Sequence, residues 1–102
     1  MVKLIAIYRK PEDEAAFLQH YREVHTPLVR KMPGLEKLDV TKIDADAMGS
    51  PTDYFLLAEM SFADEATLTA AMNSAEGKAA AKDLMSFARP IVTMVTGTVQ
   101  EG

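Results

Sequence analysis

Both histidines of this 102-residue chain fall in HYREVHTPLVRKMPGL, residues 20 to 35, five positions apart, with a proline two residues beyond the second. Two imidazoles this close offer three chemistries: a shared metal, an acid/base centre, or hydrogen bonds inside an ordinary core. On an α-helical wheel of about 100° per residue, Phe17, Tyr21, Val24 and Leu28 form an apolar stripe. His20 falls about 60° to one side of it and His25 about 80° to the other. Zinc histidines on a single helix need i, i+4 spacing so that both rings reach one ion, and i, i+5 spacing sends them apart. No shared metal is therefore expected. The chain has no cysteine, so a thiolate nucleophile, a cysteine-zinc site and a disulfide framework are all excluded.

His25 is the stronger candidate because a Thr-Pro pair comes directly after it. Pro27 lacks the amide that would bond the carbonyl of Glu23, and it biases Thr26 away from helical angles. Thr-Pro is also a helix-starting pair, so the helix is expected to break at Thr26 and restart at Pro27. A histidine at such a break can project into a cleft between helix and sheet, or it can simply close the break with a hydrogen bond. For His20 the structural role is the simpler reading, since nothing interrupts the pattern on its side. A catalytic histidine needs a partner, and Tyr8, Tyr21 and Tyr54 are the nearest in kind. Tyr21 lies one turn before His25 on roughly the same side; Tyr8 and Tyr54 stand at the ends of strands.

The elements that must position these groups alternate in a simple order. Val2 to Arg9 reads as a strand, and Pro11 followed by three acids opens the histidine-bearing helix, which Pro33-Gly34 stops. Leu35 to Ile43 is expected to be a second strand, DADAMGSPTD a loop, and YFLLAEMSF a third strand. Asp64 should cap a short helix, Asn73-Ser74 interrupts it, and an alanine-rich segment continues to about Phe87-Ala88 before a last strand from Pro90 to Val99. The result is one domain, residues 1–102, ordered βαββαβ. Val2, Leu4, Ala6 and Tyr8 alternate with Lys3, Ile5, Ile7 and Arg9. In the third strand Tyr54, Leu56, Ala58, Met60 and Phe62 alternate with Phe55, Leu57, Glu59 and Ser61. A sheet with helices on one face should be polar on the other, whereas here both faces carry apolar side chains. Either central strands are simply apolar on both sides, or, the sharper reading, two sheets pack face to face in a homodimer, burying roughly 1,600 Å² or more.

The net charge of −4 and pI near 5.1 provide no basic field for a phosphate backbone, so nucleic acid is not an expected partner. MVKLIAIYRK has too short an apolar run for a signal segment or a membrane span, and a cytoplasmic location is expected. The Asp44, Asp46, Gly49 spacing copies part of a calcium loop, but Met48 and Phe55 stand where oxygen ligands must be. SAEGKAAAKDL lacks the frame of a phosphate-binding loop. Seven methionines suit a gap-filling core, and some of them a malleable pocket for an apolar ligand.

FLQHYREVHTPLVRKMPGL resembles the signature of the EthD-like family: an aromatic-rich helix, His-x-Pro-Leu, then Pro-Gly-Leu. SAEGKAAAKDLMSFARP resembles that family's Ser-x-Glu-Gly segment followed by Asp and Phe-Ala. The matching positions are Phe17, Tyr21, His25, Pro27, Leu28, Pro33 and Gly34, then Gly77, Asp83 and Phe87. Tyr21 replaces an aromatic that is often Trp in the family. The resemblance implies an α+β, ferredoxin-like fold: a four-stranded antiparallel sheet with helices on one face, dimerising into an α+β barrel. It also implies kinship with small barrels that act on hydrophobic organic molecules, including monooxygenases and polyketide cyclases. Together with the tyrosines read from the residues, it gives an expected site with His25 and Tyr8 as catalytic groups and Tyr21, Tyr54 and Phe87 against a small apolar ligand. No flavin, nicotinamide or other cofactor is expected, so any oxidoreductase or monooxygenase chemistry would be cofactor-independent or driven by a partner enzyme. A non-catalytic binding or accessory protein of a catabolic oxygenase system is the alternative. His25 as a haem ligand, as in some related barrels, is a third reading.

Overall fold

The computed structural model describes residues 1–102. Its elements are β1 (Val2–Arg9), α1 (Glu14–His20), a π-helical turn (Tyr21–His25), α2 (Thr26–Arg30), β2 (Lys37–Lys42), β3 (Tyr54–Phe62), α3 (Glu65–Asn73), α4 (Ala75–Ala88) and β4 (Val92–Thr98). The strands form one antiparallel sheet in the order β2-β3-β1-β4, with β1 and β3 in the middle. This is the expected α+β, ferredoxin-like arrangement. The second and fourth strands are shorter than the sequence suggests: Leu35 turns back onto Met32, and Ile91 bonds to Ala88. No helix is long and apolar enough to cross a membrane.

Local chemistry sets the helix starts. The Asp13 carboxylate accepts from the Ala16 amide (3.0 Å), Asp64 from Thr67 (2.8 Å) and the Ser74 hydroxyl from Gly77 (3.0 Å). Each supplies an acceptor to an otherwise unpaired first-turn amide. At the other end of the histidine-bearing helix, Gly34 comes after Pro33 with φ of 79°, a left-handed turn that favours glycine.

Leu4, Ala6 and Tyr8 lie opposite Met60, Ala58 and Leu56 on the helix-covered face and are buried. The other face carries Lys3, Ile5 and Ile7 beside Ser61, Glu59 and Leu57, with Val95 on β4 opposite Ile5. A Lys3–Glu59 ion pair (2.9 Å) sits near this apolar strip, whose Ile5, Ile7 and Leu57 are half-buried while Val95 is exposed. One facing differs from simple alternation. Tyr8 pairs with Leu56 but Arg9 with Tyr54, leaving Phe55 as an unmatched residue. Such a bulge re-aims a side chain. Phe55 accordingly turns into the core, 1% exposed, with its ring edge-on to Phe17 at 5.7 Å.

The larger departure is in the helix. The expected break at Thr26 does not form, because Thr26 keeps helical angles (φ −57°, ψ −45°) and its amide bonds the Tyr21 carbonyl five residues back. The chain accommodates Pro27 by widening one turn into a π-turn. That extra residue shifts the phase of everything after it. The buried stripe runs Phe17, Tyr21, His25, Val29, Met32, while Val24 is exposed and Leu28 only partly buried.

Candidate active site

An i to i+5 turn returns residues five apart to nearly the same side, the opposite of what α-helical geometry gives them. His20 and His25 flank the π-turn, and both face α4, where they meet a single carboxylate. His20 Nε2 lies 2.9 Å from Asp83 Oδ1, and His25 Nδ1 lies 3.0 Å from Asp83 Oδ2. The wheel-based divergence of the two rings is thereby corrected, and the reason is the π-turn. A carboxylate can only accept, so the facing nitrogen of each ring carries the proton and donates it. In neutral His25 the lone pair is then on Nε2.

The two rings differ in setting. His25 is 5% exposed, whereas the His20 side chain is 34% exposed. Phe87 packs against both, its centroid 4.5 Å from His20 and 5.3 Å from His25. Burial lowers the basicity of His25. The hydrogen bond and charge of Asp83 oppose that effect, and the neighbouring His20 adds to it. The net direction is down from the ordinary 6.5, so the ring is neutral at physiological pH.

His25 also borders a cavity of about 90 Å³ between the helices and the sheet. Its walls come from β1 (Leu4, Ala6, Tyr8), the π-turn and the helical stretch after it (Tyr21, His25, Val29, Met32), the other strands (Leu38, Met60, Met94) and the helix pair (Met72, Gly77, Ala80, Ala81, Leu84). The polar side-chain groups among them are the phenols of Tyr8 and Tyr21 and the imidazole of His25. The Tyr8 and Tyr21 rings meet edge-on at 5.7 Å, and Tyr21 lies 5.4 Å from His25. Burial, reinforced by Tyr21 and by the Asp83 charge, pushes the Tyr8 phenol far up. Burial also pushes Tyr21 up to about 12. Both tyrosines therefore stay protonated and act as O–H donors. No buried side-chain nitrogen or oxygen is left without a partner. His25 Nε2 has no protein partner and so opens onto accessible space. Met72 and Met94 line the cavity while 46% and 38% exposed, which places them at its mouth.

The structure thus gathers His25, Tyr8 and Tyr21 around one cavity, with Phe87 bracing the histidines from outside it. Tyr54 does not join them: it stands opposite Arg9 beside the bulge, 51% exposed and away from the cavity walls. The same bulge that turns Phe55 inward leaves Tyr54 outside. Asp83 was not among the candidate site residues. One signal for it is its place on α4, one residue before buried Leu84 and three after buried Ala80. An acid at the border of a buried stripe needs a partner.

The EthD domain profile matches residues 9–91. An uncharacterized 11.0 kDa protein encoded in the thcB-thcC intergenic region of Rhodococcus erythropolis is 36% identical over 95 residues, covering 93% of this chain and 91% of the relative. The crystal structure of an ethyl tert-butyl ether D (EthD) family protein from Bacillus halodurans C-125 superposes with a TM-score of 0.94 at 45% identity, covering 98% of this chain and 99% of that one. At 14% identity, a dimeric ferredoxin-like protein from Thermobifida fusca YX reaches a TM-score of 0.71, with 96% of this chain and 90% of that one covered. At 13%, SnoaB, a cofactor-independent oxygenase from Streptomyces nogalater, reaches 0.72, with 99% and 94% covered. These last two likenesses establish the fold alone. The profile match across most of the chain, together with the 45% identical structure, shows that this chain belongs to the EthD family.

Proposed function

We propose that this chain binds a small apolar organic compound in the cavity between its helices and sheet and transforms it by proton transfer at His25. The observation that carries the reading is an imidazole oriented by Asp83 through Nδ1, which leaves Nε2 as its basic nitrogen, on a residue that lines an apolar cavity. A group titrating near neutrality is suited to that task, and a positioned acid/base group contributes roughly 10² to 10⁴ in rate. Members of this fold include a cofactor-independent oxygenase, which supports chemistry carried out by side chains. The size of the cavity limits its occupant. Its 90 Å³ falls short of the roughly 150 Å³ apolar cavity that takes benzene, so a ring-sized ligand must displace side chains. Met32, Met60, Met72 and Met94 are the adaptable part of the wall.

The active unit in this reading is a homodimer packed through the sheet faces. Ile5, Ile7, Leu57 and Val95 form an apolar strip that no helix of the chain covers, and a dimeric protein shares the fold.

Methyl NMR tests the cavity directly. On titration with toluene, the Met32, Met60, Met72 and Met94 methyl signals should shift saturably while exposed Met48 stays put. No saturable shift with toluene or with butanone, a smaller compound that carries an oxygen acceptor, would overturn the reading. Binding without any loss of turnover in His25→Gln, once a substrate is in hand, would favour the accessory role.

A further inference from the structure

Resting on that reading, we propose that the cavity is built for small neutral carbonyl compounds with a hydrogen on the carbon next to the carbonyl, and that it moves this proton through an enolate. The cavity presents few kinds of polar group. Its walls hold one base and two phenols, with no cation and no carboxylate; Asp83 stands behind His25 and outside the lining. An ionised ligand would therefore find no counter-charge in an apolar setting, and its desolvation would go uncompensated. A plain hydrocarbon would leave two O–H donors without acceptors, which is also unfavourable. The complement of two donors and one base is a molecule with an oxygen acceptor and a removable proton.

The donors point to a carbonyl oxygen, which has two lone pairs. The Tyr8 and Tyr21 rings meet edge-on at 5.7 Å on the cavity wall, and burial keeps both phenols protonated. They can hold one oxygen between them as it gains charge, as an oxyanion hole does. His25 Nε2 then removes a proton from the adjacent carbon. The C–H bond breaks, its electron pair forms the C=C bond of the enolate, and the carbonyl π pair moves to the oxygen held by the phenols. The proton sits on Nε2 while Nδ1–H remains on Asp83, which stabilises the imidazolium. Returning the proton to the same carbon exchanges hydrogen with solvent, and returning it to another carbon of the conjugated system gives an isomer. Neither outcome consumes an oxidant, a reductant or a second substrate.

Butanone in D₂O is a suitable probe, read by the loss of its α-proton signals in proton NMR and, in parallel, by the cavity methionine methyl shifts. We expect saturable exchange at least about a hundredfold faster than free imidazole at equal concentration. His25→Gln should lose about a hundredfold or more and Tyr8→Phe about a hundredfold, the scale of one oxyanion donor, while butanone still shifts the methionine methyls in both. Butanone binding with no exchange above that of His25→Gln would overturn this proposal and leave ligand binding in place. Toluene binding without butanone binding would also overturn it. Failure of both compounds to bind would sink the cavity reading itself.

Discussion

Replacing Asp83 by Ala removes the acceptor shared by His20 and His25, and the two bonds lost are unequal. His25 Nδ1–H is buried, with Asp83 Oδ2 at 3.0 Å as its partner. Leaving such a donor unsatisfied costs about 1 to 3 kcal/mol. The His20 side chain is a third exposed, and water replaces its partner at a cost of roughly 0.5 kcal/mol. The sum, about 1.5 to 3.5 kcal/mol, corresponds to a drop in melting temperature of roughly 6 to 28 °C for a domain of this size. Differential scanning calorimetry of the variant at pH 7.5 measures it. A second substitution, His25→Phe in the Asp83→Ala background, should recover part of the loss, since no polar group is then stranded. The variant should also show His25 titrating lower still, because Asp83 is the group that raises its basicity. A loss below about 0.5 kcal/mol, or a double variant whose losses simply add, would refute the idea that Asp83 holds His25.

Acidification supplies an independent check: with the folded His25 below its unfolded value of about 6.5, the unfolded chain takes the proton first. The stability contributed by neutral His25 is present above pH 6.5 and lost as pH falls below it. The melting temperature should fall between pH 7.5 and 5.5, and His25→Gln should flatten that fall. Gly77→Ala should destabilise by about 1 to 3 kcal/mol in chemical denaturation, because a Cβ there would collide with the Ala71 carbonyl where α4 starts against α3; an unchanged midpoint would contradict that packing. Ile7→Glu, on the uncovered sheet face, should convert a dimer to a monomer in sedimentation equilibrium, and a monomeric wild type would remove the proposed interface.

The sequence was most readable where a residue acts through its neighbours in the chain. Asp13, Asp64 and Ser74 cap their helices because a short oxygen-bearing side chain before an amphipathic segment has few other uses. The two-sided apolar pattern of Val2–Arg9 is visible in the uncovered face of β1. What escaped was phase. A wheel assumes a constant turn angle, and a π-turn around Glu23 and Val24 breaks that assumption, moving His25 into the buried stripe and turning Val24 out. Pro27 marked the site of the irregularity but not its form, since a break and a widened turn both accommodate a missing amide. Phe55 and Tyr54 were misplaced for the analogous reason in a strand, where one bulge reverses the facing. Asp83 went unassigned because its partners lie 58 and 63 residues away, a separation that only the packed structure closes.

Nitrogen-15 NMR of the two imidazoles reads which nitrogen of His25 carries the proton, the feature on which its role as a base depends. At pH 7 we expect a neutral His25 protonated at Nδ1, with an unprotonated Nε2 whose signal moves when toluene or butanone enters the cavity. His25 protonated at Nε2, or an imidazolium at pH 7, would contradict that role.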